Sequence, residues 1–321
     1  MFVLDSHCDT PSEIYRGRDI GLDNKSGHID IPKLERSQVD GAFFALYIPA
    51  DMDSEPDRAF RYAGELLESV KESVSRYPYL AFATSQEIAL ENKSKGLFSV
   101  FLGLENASPI GCGPEAFERL RWFYDNGIRY VTLCHSGDNE ICDSCASVNP
   151  RWGGLSPFGH DVVAQMNNMG MLVDVSHISD SSFYDVLECS SKPVVATHSC
   201  CRALADHPRN MTDDMIRSLA AARGVLQVNF YPVFLDADYR SKMPSFRRIA
   251  DHIDHIVDIA GIDFVGIGSD FDGIELTPAG IQDISMMPRI FEELSLRGYS
   301  DADIAKIASG NFFRVMSENQ A

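Results

Sequence analysis

The chain is predicted to fold as an α/β protein, specifically a (β/α)8 barrel, on three observations. Eight short apolar segments recur along its 321 residues, most of them bounded by Gly, Pro, Asn or Asp. Helical patterns separate them, and strand alternating with helix is the order that builds a closed parallel sheet. Seven polar residues, His7, Asp9, Glu105, His135, His177, His198 and Asp270, stand at the ends of these segments. Side chains delivered from many separate strand ends meet only if the strands lie side by side and point the same way. In a barrel that meeting place is the carboxyl-terminal face. A doubly wound open sheet would gather its site at one switch point, and no glycine-rich phosphate loop is present.

The first strand is expected at residues 2–6 and the second at 42–48. A helix over 57–76 follows, with apolar residues at helical spacing and Glu and Arg turned outward. Strand three, 97–104, is almost uniformly apolar, as a strand buried on both faces should be. Helix 114–126 opens on Pro114 and stops before Gly127, the usual asymmetry of helix ends. Strand four, 130–134, runs into a polar, Gly/Pro-rich stretch at 138–157, read as a long surface loop overhanging the site. Helix 158–169 stops at Gly170, and strand five occupies 171–176. Helix 180–189 has Ser179 or Asp180 as its N-cap. Strand six is 193–197, helix 212–223 ends at Gly224, and strand seven is 225–230. Helix 246–260 precedes Gly261 and strand eight, 265–269. Further helices are expected at 281–297 and 300–317. With no internal repeat or low-complexity tract, residues 1–321 read as a single catalytic barrel domain.

The balance of 28 basic to 47 acidic residues, net −19, argues against nucleic acid or an anionic membrane as partner. No basic leader precedes the first strand, no apolar run approaches a membrane span, and the end, Met-Ser-Glu-Asn-Gln-Ala, has no apolar tail. These features predict a cytoplasmic protein acting on a small molecule, with pairing into a homodimer left open. The eight cysteines are expected to be reduced thiols; Cys142 and Cys145 form a CxxC without a second pair at zinc-finger spacing.

The polar residues suggest the chemistry. His7 and Asp9 are two apart and share one face of a strand. A carboxylate at Glu105, ending an apolar run, must be paired, coordinated or open to solvent. His177 and His198 repeat one pattern on consecutive strands, apolar residues followed by Ser or Thr and then His. Five such groups exceed the three of a single catalytic zinc. They suit two metals about 3.5–4 Å apart sharing a carboxylate, with a hydroxide between them as nucleophile. The division is His7, Asp9 and Glu105 for one metal, and Glu105, His177 and His198 for the other. Asp270 is a sixth ligand, a proton shuttle or an anchor for a substrate ammonium; Asp272 beyond it reads as a turn cap. His135 suits stabilisation of an oxyanion. Arg209 suits a clamp on a substrate carboxylate, although a surface salt bridge is its commoner role. His252 and His255 fall on the outer ring, and His28, His160 and His207 read as surface or capping residues.

In these motifs the chain resembles the membrane (renal-type) dipeptidase family of zinc peptidases. The likeness runs through Asp5-Ser-His-Cys-Asp-Thr-Pro, Gly103-Leu-Glu, Tyr130-Val-Thr-Leu-Cys-His-Ser, Leu172-Val-Asp-Val-Ser-His, Thr197-His-Ser, Arg209-Asn-Met-Thr-Asp-Asp, Val228-Asn-Phe-Tyr and Gly268-Ser-Asp-Phe-Asp-Gly. It implies two Zn2+ per chain held by His7, Asp9, Glu105, His177 and His198, with Glu105 bridging. It implies hydrolysis of dipeptides that tolerates a D-residue at the carboxyl terminus. His135 and Arg209 match the substrate-binding His and Arg, and Asp270 the Asp that meets the substrate amino group and carries its proton. Ser12 departs from an aromatic common at its position, and Phe234 from a common Tyr. A related hydrolase of N-acyl amino acids or lactones is the alternative. A non-catalytic binding protein on a degenerate barrel is opposed by the complete ligand set.

Overall fold

Nine strands form one parallel sheet in the computed structural model, which describes residues 1–320. They are β1 (Leu4–Cys8), β2 (Gly41–Tyr47), β3 (Leu80–Phe82), β4 (Phe98–Glu105), β5 (Ile128–Thr132), β6 (Leu172–Asp174), β7 (Val195–Ser199), β8 (Val225–Val228) and β9 (Val265–Ile267). Eight follow the order β1-β2-β4-β5-β6-β7-β8-β9, and β3 pairs on the side of β4. The ring closes at the first and last strands, where Asp270 N donates to His7 O (3.0 Å) and Asp9 N to Phe271 O (2.8 Å). The expected barrel is therefore present.

All eight expected strands occur, most of them ending earlier than the apolar runs suggest. His135, His177 and Asp270 lie on the turns just past β5, β6 and β9, whereas His7, Glu105 and His198 lie within strands. β3 was not expected. It is three residues long and its burial falls off to an exposed Phe82, so it carries no apolar run.

Among the described residues thirteen α-helices accompany the sheet: α1 (Thr10–Tyr15), α2 (Ile31–Ser37), α3 (Pro56–Arg76), α4 (Gln86–Ser94), α5 (Ala116–Asp125), α6 (Pro157–Met169), α7 (Asp180–Cys189), α8 (Asp213–Ala221), α9 (Pro232–Leu235), α10 (Arg247–Ala260), α11 (Pro288–Leu296), α12 (Asp301–Ala305) and α13 (Asn311–Gln320). Ser156, Ser179 and Thr212 cap α6, α7 and α8 through their side-chain oxygens, each holding an otherwise unpaired N–H. The helix expected over 281–297 begins only at Pro288, which cannot sit inside a helix but suits its first position. That expected over 300–317 is broken by a π-helical turn at Lys306–Gly310. None of the described helices is long and apolar enough to cross a membrane.

Aromatic side chains fill the amino-terminal end of the barrel. Phe312 of α13 packs its ring 5.2 Å from that of Phe43, which lies 4.8 Å from Phe101, while Phe313 meets Phe2 at 5.3 Å. Ser309 Oγ donates to Phe2 O, and Asn311 Nδ2 to Ile262 O and Val265 O. This floor leaves only the carboxyl-terminal mouth open for chemistry.

The loop after β5 is not a free flap. The buried carboxylate of Asp143 accepts the backbone N–H groups of Arg151, Trp152, Gly153 and Gly154, tying the loop into a compact unit.

His252 also departs from expectation. It lies on α10 but is fully buried, with Nδ1 accepting from Cys201 N (3.0 Å) and Nε2 donating to Leu235 O (2.9 Å). Burial pushes it from its ordinary 6.5 down to about 4. The folded chain thus holds the neutral ring, a stabilisation complete above pH 6.5 and lost as pH falls toward 4. At pH 5 the loss should be about 2 kcal/mol. Replacing His252 by Gln should shrink the difference in urea-unfolding stability between pH 7 and pH 5 by that amount. An unchanged difference would exclude His252 as its source.

Candidate metal and substrate site

Glu105 is the last residue of β4, two residues beyond Gly103. A Cβ at Gly103 would lie 2.2 Å from the ring of Tyr130, so only glycine lets that ring cross the barrel. The crossing carries the Tyr130 hydroxyl to His7 Nδ1 (2.8 Å), which leaves His7 Nε2 facing Glu105.

Glu105 then divides the site. Its Oε2 lies 3.6 Å from His7 Nε2, itself 3.5 Å from Asp9 Oδ2. Its Oε1 lies 3.0 Å from His177 Nε2 and 3.4 Å from His198 Nε2. The five groups fall into two three-residue clusters compact enough to hold a cation, joined by Glu105. A third such cluster contains His7, His198 and Asp270.

Several features of these residues fit divalent cations. His7 Nε2 and Asp9 Oδ1 are buried without a hydrogen-bond partner, a costly state for polar atoms. Asp9 and Glu105 are buried with no Lys or Arg paired to them among the described residues. Burial, then the charge of Glu105, pushes Asp9 up to about 7. His177 and His198 sit well below their ordinary range, chiefly through burial and then through the charges around them, including Arg209. Burial opposes charge on His7, but Glu105 and Asp9 on either side raise it well above its ordinary range; His177 and His198 are in the neutral form in which imidazole binds a metal.

The backbone around the mouth is correspondingly strained. Asn106, His177, Asp270 and Asp272 all adopt positive φ, between 63° and 76°, rarely tolerated by residues with a Cβ. Cys145 N from the pinned loop donates to His177 O (2.8 Å) and holds that conformation.

The site opens into a cavity of about 490 Å3, within the usual size of small-molecule pockets. His135, Arg209 and Asp270 line it, so all eight residues singled out by the sequence converge. Arg209 is not a surface salt bridge. It is buried, donating from Nη1 to Ser199 Oγ (3.2 Å) and from Nη2 to His198 O (3.0 Å), with Nε unpartnered and Phe234 beneath the guanidinium. No acidic side chain neutralises it among the described residues. Asp270 accepts from Asn229 Nδ2 (2.9 Å) and is pushed up to about 7, first by burial and then by Asp9. His135 bonds Ser136 through Nδ1 (2.7 Å), and burial lowers it to about 3. Ser12 and Phe234 line the same cavity.

Sequence reasoning assigned no role to Tyr130 or Asn229, and read Asp272 as a turn cap. Asp272 is instead a buried junction, accepting from Arg18 Nη1 (2.7 Å), Thr10 Oγ1 (2.9 Å) and His28 N (2.8 Å). His28, expected at the surface or as a cap, accepts from Asp272 N in return. Tyr130 lies within β5, while Asn229 and Asp272 lie beyond β8 and β9, and the partners of all three are far away in sequence. The eight cysteines are free, including Cys142 and Cys145.

The family model described as membrane dipeptidase (peptidase family M19) matches residues 1–321. The chain is similar to dipeptidase verJ of Clonostachys rogersoniana, 33% identical across 98% of this chain and 83% of that one. Among solved structures it is similar to the probable dipeptidase PvdM of Pseudomonas aeruginosa, with a TM-score of 0.91 at 26% identity over 100% of this chain and 96% of that one. It is also similar in fold to a metallo peptidase of Rhodobacter sphaeroides liganded with a phosphinate mimic of the dipeptide L-Ala-D-Ala. There the TM-score is 0.89 at 25% identity, covering 99% of each chain.

Proposed function

Since this chain belongs to the membrane dipeptidase family, peptidase family M19, and is accordingly a metal-dependent hydrolase of dipeptides, we propose that it cleaves free dipeptides with two zinc ions. His7, Asp9 and Glu105 would hold one ion, and Glu105, His177 and His198 the other. The observation that carries this reading is the placing of Glu105, with one carboxylate oxygen toward each group of partners. Metal held there would supply Lewis acidity, activating a water for attack and polarising the scissile carbonyl.

The protein's own groups then bind and orient the substrate. Arg209 offers N–H groups to the terminal carboxylate in a buried setting, where charge-assisted bonds are strong. Asp270, fixed by Asn229, receives the substrate ammonium group and passes the proton released by the attacking water to the departing amine. His135 lies in the cavity with Nε2 3.8 Å from Glu105 Oε1. When Ser136 donates to Nδ1, Nε2 keeps its proton and can donate to the developing oxyanion. Tolerance of a D-residue at the carboxyl terminus is supported by the likeness to the Rhodobacter sphaeroides enzyme and its L-Ala-D-Ala mimic. One barrel domain supplies every group, and the unpaired cysteines favour the reducing cytoplasm.

A free dipeptide and its N-acetylated form, assayed side by side, test the reading. An ionic contact at Asp270 is worth about 1.5–3 kcal/mol, so the free form should be preferred about 10–100-fold. Chelation should abolish turnover and zinc restore it. Preference for the acetylated form would instead favour an N-acyl amino acid hydrolase.

A further inference from the structure

We propose that Asp174 fixes the proton position on His198 through Thr197, and so is the positioning residue that keeps His198 able to hold a metal. The proposal rests on reading His198 as a ligand, but its geometry is independent of that reading. Asp174 ends β6, is wholly buried, and has no Lys or Arg paired with it among the described residues. Such a carboxylate is costly unless its oxygens are satisfied.

Every contact it makes comes from a donor. Oδ1 receives the N–H groups of Ser176 (3.0 Å) and Thr197 (2.9 Å). Oδ2 receives the hydroxyls of Thr132 (2.6 Å) and Thr197 (2.6 Å). A threonine hydroxyl has one proton, and here it is committed to Asp174. Thr197 Oγ1 lies 2.8 Å from His198 Nδ1, so it must accept there, and Nδ1 carries the ring proton. The lone pair is left on Nε2, which points at Glu105 Oε1 and at His177 Nε2, 2.8 Å away. Outer groups that set a ligand histidine's tautomer in this way tune the metal they never touch. The Tyr130 hydroxyl on His7 has no second partner among the described residues, so nothing comparable sets its direction.

Asp174→Asn would keep the shape and reverse the chain. The two backbone N–H groups require the amide oxygen at the Oδ1 position, which puts the amide NH2 against Thr197 Oγ1. Thr197 would then donate to His198 Nδ1 and move the ring proton to Nε2. Nitrogen-15 NMR of histidine-labelled, metal-free chain should show an Nδ1–H tautomer for His198 in the wild type and Nε2–H in Asp174→Asn. Competition with a zinc chelator should show one of the two ions bound about 10–100-fold more weakly. Thr197→Val should weaken the same ion and Thr197→Ser restore it. Thr132→Val, which removes a bond to the same carboxylate but leaves the path to His198, should retain wild-type affinity. Unaltered tautomer and zinc affinity in both Asp174→Asn and Thr197→Val would overturn the proposal, as would an equal loss in Thr132→Val. A wild-type chain that takes up no zinc would instead overturn the reading of His198 as a ligand, while the tautomer measurement still decides the part played by Asp174.

Discussion

Replacing Glu105 by Gln should lower kcat/KM for a free dipeptide by at least about 10^3-fold and reduce bound zinc from two ions per chain to one or none. Removing a single preorganised electrostatic group from an active site already costs about 10²–10³, and Glu105 serves two partner sets at once. The amide keeps the volume but loses the charge and presents N–H donors on one side. The stability of the metal-free chain should change little, because the substitution relieves repulsion from Asp9 but also removes the attraction to His7. Calorimetry without metal and zinc analysis after dialysis separate a lost ligand from a damaged fold. Full zinc occupancy with ordinary turnover would remove the bridging role.

Arg209→Met should raise KM for a free dipeptide by about 10²-fold, with a smaller fall in kcat and unchanged zinc content. The guanidinium is buried, rests on Phe234 and has no acidic partner. Its unmet charge is available to a substrate carboxylate, and bonds between charged groups are worth about 1.5–3 kcal/mol each. Methionine fills much of the space, so packing should survive. A dipeptide amide, lacking the terminal charge, should show a wild-type KM already close to that of the variant. An unaltered KM for the acid would place the carboxylate elsewhere.

The barrel was legible because burial on both faces forces apolar strands to stand out between helical stretches. Seven of the eight site residues were legible because each lies within or soon after such a strand, where a charged or imidazole group is conspicuous. Arg209 shows the limit. Its loop sequence does not reveal that Ser199 Oγ and the His198 carbonyl draw the side chain inward. Asp272 shows another, because its partners Thr10, Arg18 and His28 meet it only when the barrel closes. Five strand ends were placed too late because apolar burial continues past the strand into segments such as Leu133 and Cys134.

The floor of aromatic rings has a consequence for biosynthesis. Phe312 and Phe313 leave the ribosome long after Phe43 and Phe2, against which they pack. Until then the nascent cylinder is open at its base, its strands lacking the plug that the final helix supplies. Cation capture should therefore be a late event of synthesis, following emergence of the final helices rather than completion of the residues that bind the ions.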